Sequence, residues 1–233
     1  MLVDLTDLCS KGGFQLVKWT SNSRAVLSSI PEEKRSKTTR KLHLEQDNLP
    51  TEMALGMNWC AESDTFTFRP AVEKRPHTRR GILSIVSPIY DPLGFLSPFT
   101  LLPKLLLQEM CRKTMSWDDR VPQRFSQQWT KWLLDLEKVS ELKVERCIKP
   151  KDFRGPLQAQ LHHFADASDH GYDTVSYLRF QNQDKRVHFA CMLGKARVAP
   201  LKQTTIPRLE LTAAVLAIKV DKMLRKELHL RGK

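Results

Sequence analysis

The sequence is poor in the features that mark secreted and membrane proteins. Its 233 residues hold five cysteines, at Cys9, Cys60, Cys111, Cys147 and Cys191, far apart and without a C-x-x-C pair. An odd count at wide spacing argues against a disulfide framework and against a zinc site. It favours reduced thiols in an intracellular setting, with cytoplasm and nucleus not distinguished. No apolar run approaches the roughly 18 residues that span a bilayer. The opening Met1-Leu2-Val3-Asp4 has neither a basic start nor a long apolar core, so no signal peptide is expected. Internal repeats and low-complexity tracts are missing too. Acidic residues are scarce relative to basic ones: 26 Asp plus Glu stand against 38 Lys plus Arg, a formal charge of +12. Such an excess favours a polyanionic partner, nucleic acid first. A membrane surface fits less well, because neither end joins a basic face to a clean apolar one.

What is present is organised around Gln160 to Leu211. Gln160-Leu161-His162-His163-Phe164-Ala165-Asp166-Ala167-Ser168 reads as a strand. Thr174 to Phe180 and Val187 to Leu193 are rich in β-branched and aromatic residues and read as two more. The polar pieces Ser168 to Asp173 and Gln181 to Arg186 read as the joining turns. After Pro207 the period lengthens to about 3.6, and Leu209, Ala213, Leu216, Val220, Met223 and Leu224 fall on one helical face. The order is strand, strand, strand, helix, with Asp166 on the first strand and Glu210 in the first turn of the helix. Each acid also has a plain reading: Asp166 precedes a turn whose backbone its carboxylate can bond, and Glu210 suits the positive end of a helix.

Before this stretch the chain alternates short elements. Gly12-Gly13 reads as a turn and Phe14 to Trp19 as a half-buried strand. Ser21-Asn22-Ser23 can cap a short helix that runs to Ile30 and stops at Pro31. Leu55 to Trp59 and Asp64 to Phe68 read as the two strands of a hairpin. Asp91-Pro92-Leu93-Gly94 is a turn by its own chemistry, and Ser97-Pro98 can start a helix that Pro103 kinks or delays. Pro122 to Leu142 is a helix whose stripe holds Phe125, Trp129, Trp132, Leu133, Leu136 and Val139, with the tryptophans as packing residues. Lys149 to Pro156 reads as a linker. Trp117-Asp118-Asp119 is not a polymerase aspartate pair, because a helical pattern follows it rather than a strand. Basic residues gather in loops, and Lys34, Arg35, Arg79, Arg80, Lys195, Arg197 and Lys202 are the candidate phosphate contacts. Solvated loops are the plain alternative.

The strand-strand-strand-helix stretch resembles the first half of a ribonuclease H domain. The blocks Gly13-Phe14 to Asn22, Leu55-Gly56 to Trp59, Arg80-Gly81-Ile82-Leu83-Ser84 to Ser97-Pro98, Lys104 to Glu109, Trp117-Asp118, His162 to Arg179 and Gly194 to Ala214 resemble, in order, the polyprotein of BEL/Pao retrotransposons. The resemblance implies an α+β chain: a helical thumb/connection region, then an incomplete ribonuclease H-like domain of three antiparallel strands and a helix. The implied boundaries are 1–72 for the end of a reverse transcriptase palm, 73–148 for the thumb and connection, 149–156 for a linker and 157–233 for the ribonuclease H-like half. It implies Asp166 and Glu210 as catalytic and metal-ligating carboxylates for Mg²⁺, a hard cation that takes oxygen ligands. An RNA–DNA hybrid is the implied partner.

The same resemblance marks departures. The family's polymerase acids fall ahead of residue 1, and its two further ribonuclease H aspartates fall beyond the helix. Asp221 is a poor stand-in at that helix's far end, and Asp169 and Asp173 are poor ones on the turn. Asp173 stands where a glycine is usual, and Pro88 replaces a small polar residue and should end its helix early. Without a later strand, the edge around Leu161 to Asp166 stays unpaired, a route to self-association. Three readings follow: a Mg²⁺-dependent cutter of hybrids that is catalytically incomplete in this chain, a non-catalytic nucleic-acid-binding or interaction protein derived from a retroelement, and an unrelated basic globular protein.

Overall fold

A computed structural model of the chain describes residues 2–54, 57–70, 74–153 and 157–230. The chain divides into two compact units, Met1–Phe68 with Leu142–Arg146, and Arg69–Glu141 with Cys147–Lys233. This division and the expected boundaries at 72, 148 and 156 do not coincide.

The first unit opens with helices α1 (Leu2–Lys11), α2 (Arg24–Ser28) and α3 (Lys37–Arg40). Ser23 caps α2 by accepting from the Val26 N–H, and Ser36 caps α3 by accepting from the Thr39 N–H. Four short antiparallel strands follow in the order β1 (Thr51–Ala54), β2 (Met57–Cys60), β3 (Thr65–Thr67) and β4 (Lys143–Glu145). The expected hairpin is β2 with β3, with Trp59 opposite Phe66, and the expected residues Leu55 and Gly56 lie outside the described residues. Leu27, Leu49, Trp59 and Ala61 form its core. The strand expected over Phe14 to Trp19 does not form. Phe14 and Val17 are 71% and 57% exposed, and only Trp19 makes a bridge, to Arg35. An alternating pattern needs a face to bury against, and here it has none.

The second unit begins with α4 (Arg79–Val86), capped by the Thr78 hydroxyl on the Gly81 N–H and ended just before Pro88. Asp91 then accepts from the Phe95 and Leu96 N–H groups at 2.9 and 2.7 Å, which leads into α5 (Ser97–Arg112). The helix starts at Ser97 and runs on through Pro103, so the proline does not delay it. The carbonyl that loses its helical donor to Pro103 is that of Phe99, four residues back. The Trp132 indole N–H of α6 (Gln123–Lys138) donates to it at 3.0 Å. Trp132 also stacks on Phe99 and on Trp129, both at 4.9 Å between ring centres. The tryptophans pack helix on helix, as expected.

The chain then forms an antiparallel sheet of β5 (Gln158–Ala167), β6 (Gly171–Gln181) and β7 (Val187–Val198), in that order, followed by α7 (Ile206–Glu227). Leu209, Ala213, Ala217, Val220 and Leu224 make the buried stripe of α7. Leu216 is only half buried and Met223 is 41% exposed, so the buried face turns toward Ala217 and away from the expected one. Two alanines in the stripe suit a close approach to the strands. Leu193, Val220 and Leu224 form the core between sheet and helix, with Leu93, Leu161, Met192 and Leu228 around it. Burying each such side chain contributes about 1.5–3 kcal/mol. Leu93 arrives because the turn at Gly94 (φ 77°) lies backbone to backbone on Gly194: a Cβ on Gly94 would fall 1.8 Å from the Gly194 carbonyl oxygen. The Gly194 N–H donates to the Leu93 carbonyl at 2.8 Å. The fold is α+β. No helix among the described residues is long and apolar enough to cross a membrane.

Candidate active site

Side chains alternate across β5, and two observations say which face is which. His163 bonds the Ser176 hydroxyl at 2.7 Å and Asp221 of α7 at 3.0 Å, and Leu161 joins the core under α7. Residues 161, 163 and 165 therefore face the helix. Gln160, His162, Phe164 and Asp166 take the opposite face. Phe164 and Phe189 are exposed there, and edge contacts join Phe164 to Tyr177 at 6.2 Å and His162 to Phe189 at 6.3 Å.

Asp166 is exposed near the end of β5, and directly opposite it in register stands Asp173 of β6. The expectation that Asp173 lies on the turn is corrected by the hairpin's geometry. The Ser168 N–H donates to the Gly171 carbonyl at 2.8 Å, so the turn that this bond closes holds only Asp169 and His170. Strand pairing resumes at Gly171, whose absent side chain matters, since a Cβ would come within 2.7 Å of the Arg197 carbonyl oxygen. Partial burial pushes the Asp173 carboxyl above its ordinary pKa, and the negative charge of Asp166 pushes it the same way. Counting outward from a two-residue turn would have found this pair in the sequence.

Glu210 is the fifth residue of α7, one place beyond the expected first turn, exposed beside the buried Leu209. Among the described residues no group of three or more His, Cys, Asp or Glu stands close enough to hold a metal ion. Asp166, Asp173 and Glu210 are thus not gathered into one three-acid centre. The donors present still suit Mg²⁺, which takes oxygen ligands and is commonly held through one or two carboxylates while keeping several waters. Asp221, below the sheet, has another task. Burial raises its carboxyl, but the Arg225 guanidinium at 2.8 Å and His163 outweigh that and hold it below the ordinary carboxylate range. The sequence carried no sign of this His163–Ser176–Asp221–Arg225 chain, because it joins two strands and a helix.

The expected phosphate contacts separate into two kinds. Arg35 is 8% exposed, with Nε donating to the Ile30 carbonyl at 2.9 Å. Arg79 lies over the Trp117 ring at 4.0 Å and donates to the Met115 carbonyl and the Cys111 sulfur. Arg80 makes a two-pronged pair with Asp118 at 2.8 and 3.0 Å. Arg35 and Arg79 serve the fold first, and Arg80 is engaged by Asp118 at the surface. Lys34, Lys195, Arg197 and Lys202 are exposed. Lys195 and Arg197 alternate on β7, and Lys202 stands in the loop before α7.

A three-stranded antiparallel sheet backed by one long helix, with an aspartate on its first strand, defines an α+β domain of the RNase H-like class. The family model described as Pao retrotransposon-like RNaseH-like domain matches residues 78–233, and the chain belongs to that family. No curated protein and no solved structure matches the chain.

Proposed function

We propose that this chain is a part of a retrotransposon polyprotein of reverse transcriptase and ribonuclease H lineage that binds nucleic acid, RNA–DNA hybrids above all. In this reading residues 1–72 derive from the end of the polymerase palm, 73–148 from its thumb and connection, and 157–233 from the first half of the ribonuclease H domain. The observation that carries it is Asp166, an exposed carboxylate on the first strand of the sheet inside the matched region. Asp166 and Glu210 are the metal-binding carboxylates of this reading. A divalent cation bound there would activate water and stabilise charge on a phosphodiester. The carboxylates' part is to supply anionic oxygens and orient the cation's waters. Within residues 1–233 that centre is short of ligands, so cleavage of a hybrid is expected to be negligible. The exposed Lys34, Lys195, Arg197 and Lys202 support a binding role, while Arg35, Arg79 and Arg80 support it less.

The test is incubation of the purified chain with a labelled hybrid, with Mg²⁺ and then Mn²⁺. RNA cleavage that disappears in Asp166→Asn would overturn the incompleteness and keep the lineage. Hybrid binding should weaken steeply with salt, by a log–log slope of about 0.7–0.9 for each phosphate neutralised. A flat affinity between low and moderate salt would remove the binding reading. The free edge of β5, which has no neighbouring strand among the described residues, further supports pairing with a second copy. Sedimentation would then report dimers that a Phe164→Lys change disperses.

A further inference from the structure

The first unit holds an open cleft of about 380 Å³, far from the acids of the ribonuclease H-like region in sequence. We propose that it takes the base of a guanine in single-stranded nucleic acid, read by Arg35 and Glu32. The inference rests on the nucleic-acid-binding reading and names what one site would recognise.

Arg35 is the observation that points to a ligand. It lines the cleft, yet it is only 8% exposed. Its Nε donates to the Ile30 carbonyl at 2.9 Å, which anchors one side of the guanidinium. Among the described residues nothing accepts a hydrogen bond from its two terminal nitrogens. Nη1 stands 4.0 Å from a carboxylate oxygen of Glu32, another lining residue, and that is too far to bond. A buried donor left without an acceptor costs stability, and an acceptor brought by a ligand recovers it. The volume also lies within the range of about 300–1,000 Å³ usual for small-ligand sites.

A second wall, Leu42 to Gln46, is held in place from behind. Arg24 donates to the carbonyls of Leu44 and Asp47, and the Asp47 carboxylate accepts from the His43 N–H at 2.8 Å. Leu42 and Leu44 line the cleft half buried, an apolar surface for a flat base.

The polar pattern selects the base. A forked donor beside a carboxylate matches a planar edge with adjacent acceptors and adjacent donors. Guanine's O6 and N7 accept from an arginine fork, and its N1–H and 2-amino group, next in line, suit a carboxylate. Adenine has an amino group in place of O6, and the pyrimidines lack two adjacent donor groups. A backbone phosphate suits the cleft badly, because Glu32 and Glu45 both line it. Arg35 thus differs in kind from the exposed lysines proposed as phosphate contacts.

The experiment measures binding of the full chain to short labelled RNA strands by fluorescence anisotropy. Each strand is uridine throughout except for one guanine, inosine, 7-deazaguanine or uridine at its centre. Inosine lacks the 2-amino group, and 7-deazaguanine lacks N7. The guanine strand should bind about 5- to 150-fold tighter than the uridine strand, the span of one good bidentate base contact, with the two analogues between them. Glu32→Gln should remove most of the preference over inosine. Arg35→Lys keeps the charge and loses the fork, so it should remove the preference over 7-deazaguanine. Glu32 is exposed, so its variant and the analogues decide the matter even if Arg35→Lys does not fold. Equal binding of all four strands, with a steep salt dependence, would overturn the inference and leave the nucleic-acid reading standing. No binding to any strand would remove both. A guanine preference that persists undiminished in Glu32→Gln would place recognition elsewhere and overturn the site. An Arg35→Lys chain that melts lower but keeps every preference would assign Arg35 to the fold alone.

Discussion

The two sheets of this protein are held together by different means. The four-stranded sheet has strands of three or four residues, and β4 is recruited from far along the chain. So few backbone bonds are supplemented by side chains. Asp64 accepts from the Trp59 indole at 2.9 Å and from both prongs of Arg146 at 2.5 and 3.0 Å, and Arg146 also lies over the Trp59 ring at 5.4 Å. The three-stranded sheet has strands of ten to twelve residues in nearly continuous register. Its backbone ladder and the apolar face under α7 are enough, and its other face is left to carry exposed rings and opposed acids. Short strands need polar fasteners, whereas long strands can hold residues that cost stability.

Four changes would break or sharpen this comparison, and the largest effect belongs to the apolar face. Leu193→Ala, at a site 6% exposed, should destabilise its unit by about 2–5 kcal/mol in urea unfolding. A loss under 1 kcal/mol would mean that the face under α7 is not what holds the long strands. Next comes the fastener of the short strands. Asp64→Asn should cost about 1–3 kcal/mol, since it leaves Arg146 without its carboxylate.

That prediction has a pH signature. Burial raises the Asp64 carboxyl, yet the Arg146 and Trp59 bonds outweigh it and leave its pKa below the ordinary value. A group lowered in the folded state stabilises above its unfolded pKa, near about 3.9, and that stability drains away as pH falls from there through the folded value. The Asn variant should show a flatter acid limb than the parent. Equal limbs would count against the fastener.

His163→Ala should cost less, about 1 kcal/mol, by orphaning the buried Ser176 hydroxyl while Arg225 still holds Asp221. An effect as large as that of Leu193→Ala would make the polar chain, not the apolar face, the mainstay beneath α7. Smallest of all is Asp118→Asn. Its pair with Arg80 is exposed on both sides, and no change in melting temperature is expected. A clear drop there would show that surface pairing matters in this unit too.

Much of this architecture was legible because it is local. The stripe from Phe125 to Leu136 announced α6, Ser23 announced α2, and three β-rich runs before a helical period announced the second sheet and α7. Features that failed to show are joined across distance. Nothing near Lys143 says that it will pair beside Thr67, since a three-residue strand has no period of its own. Arg79 and Arg80 read as a basic loop, because a sequence does not reveal that Trp117 and Asp118 will meet them. Asp166 could be singled out from its strand, but its partner Asp173 could not while the turn was drawn three residues too long. Phe14 to Trp19 shows the converse, an alternating pattern with no surface to lie on.

The indole of Trp132 on the carbonyl of Phe99 has a mechanical meaning as well. A regular helix has no preferred station along its length, since every turn offers its neighbour much the same ridges. Pro103 breaks that sameness by leaving one carbonyl without its helical donor, and only a donor at one height can meet it. Sliding α6 by a single turn, about 5.4 Å, would strand that oxygen and the indole together. The proline thus works as an index mark, and the tryptophan reads it to fix how far along α5 its neighbour comes to rest.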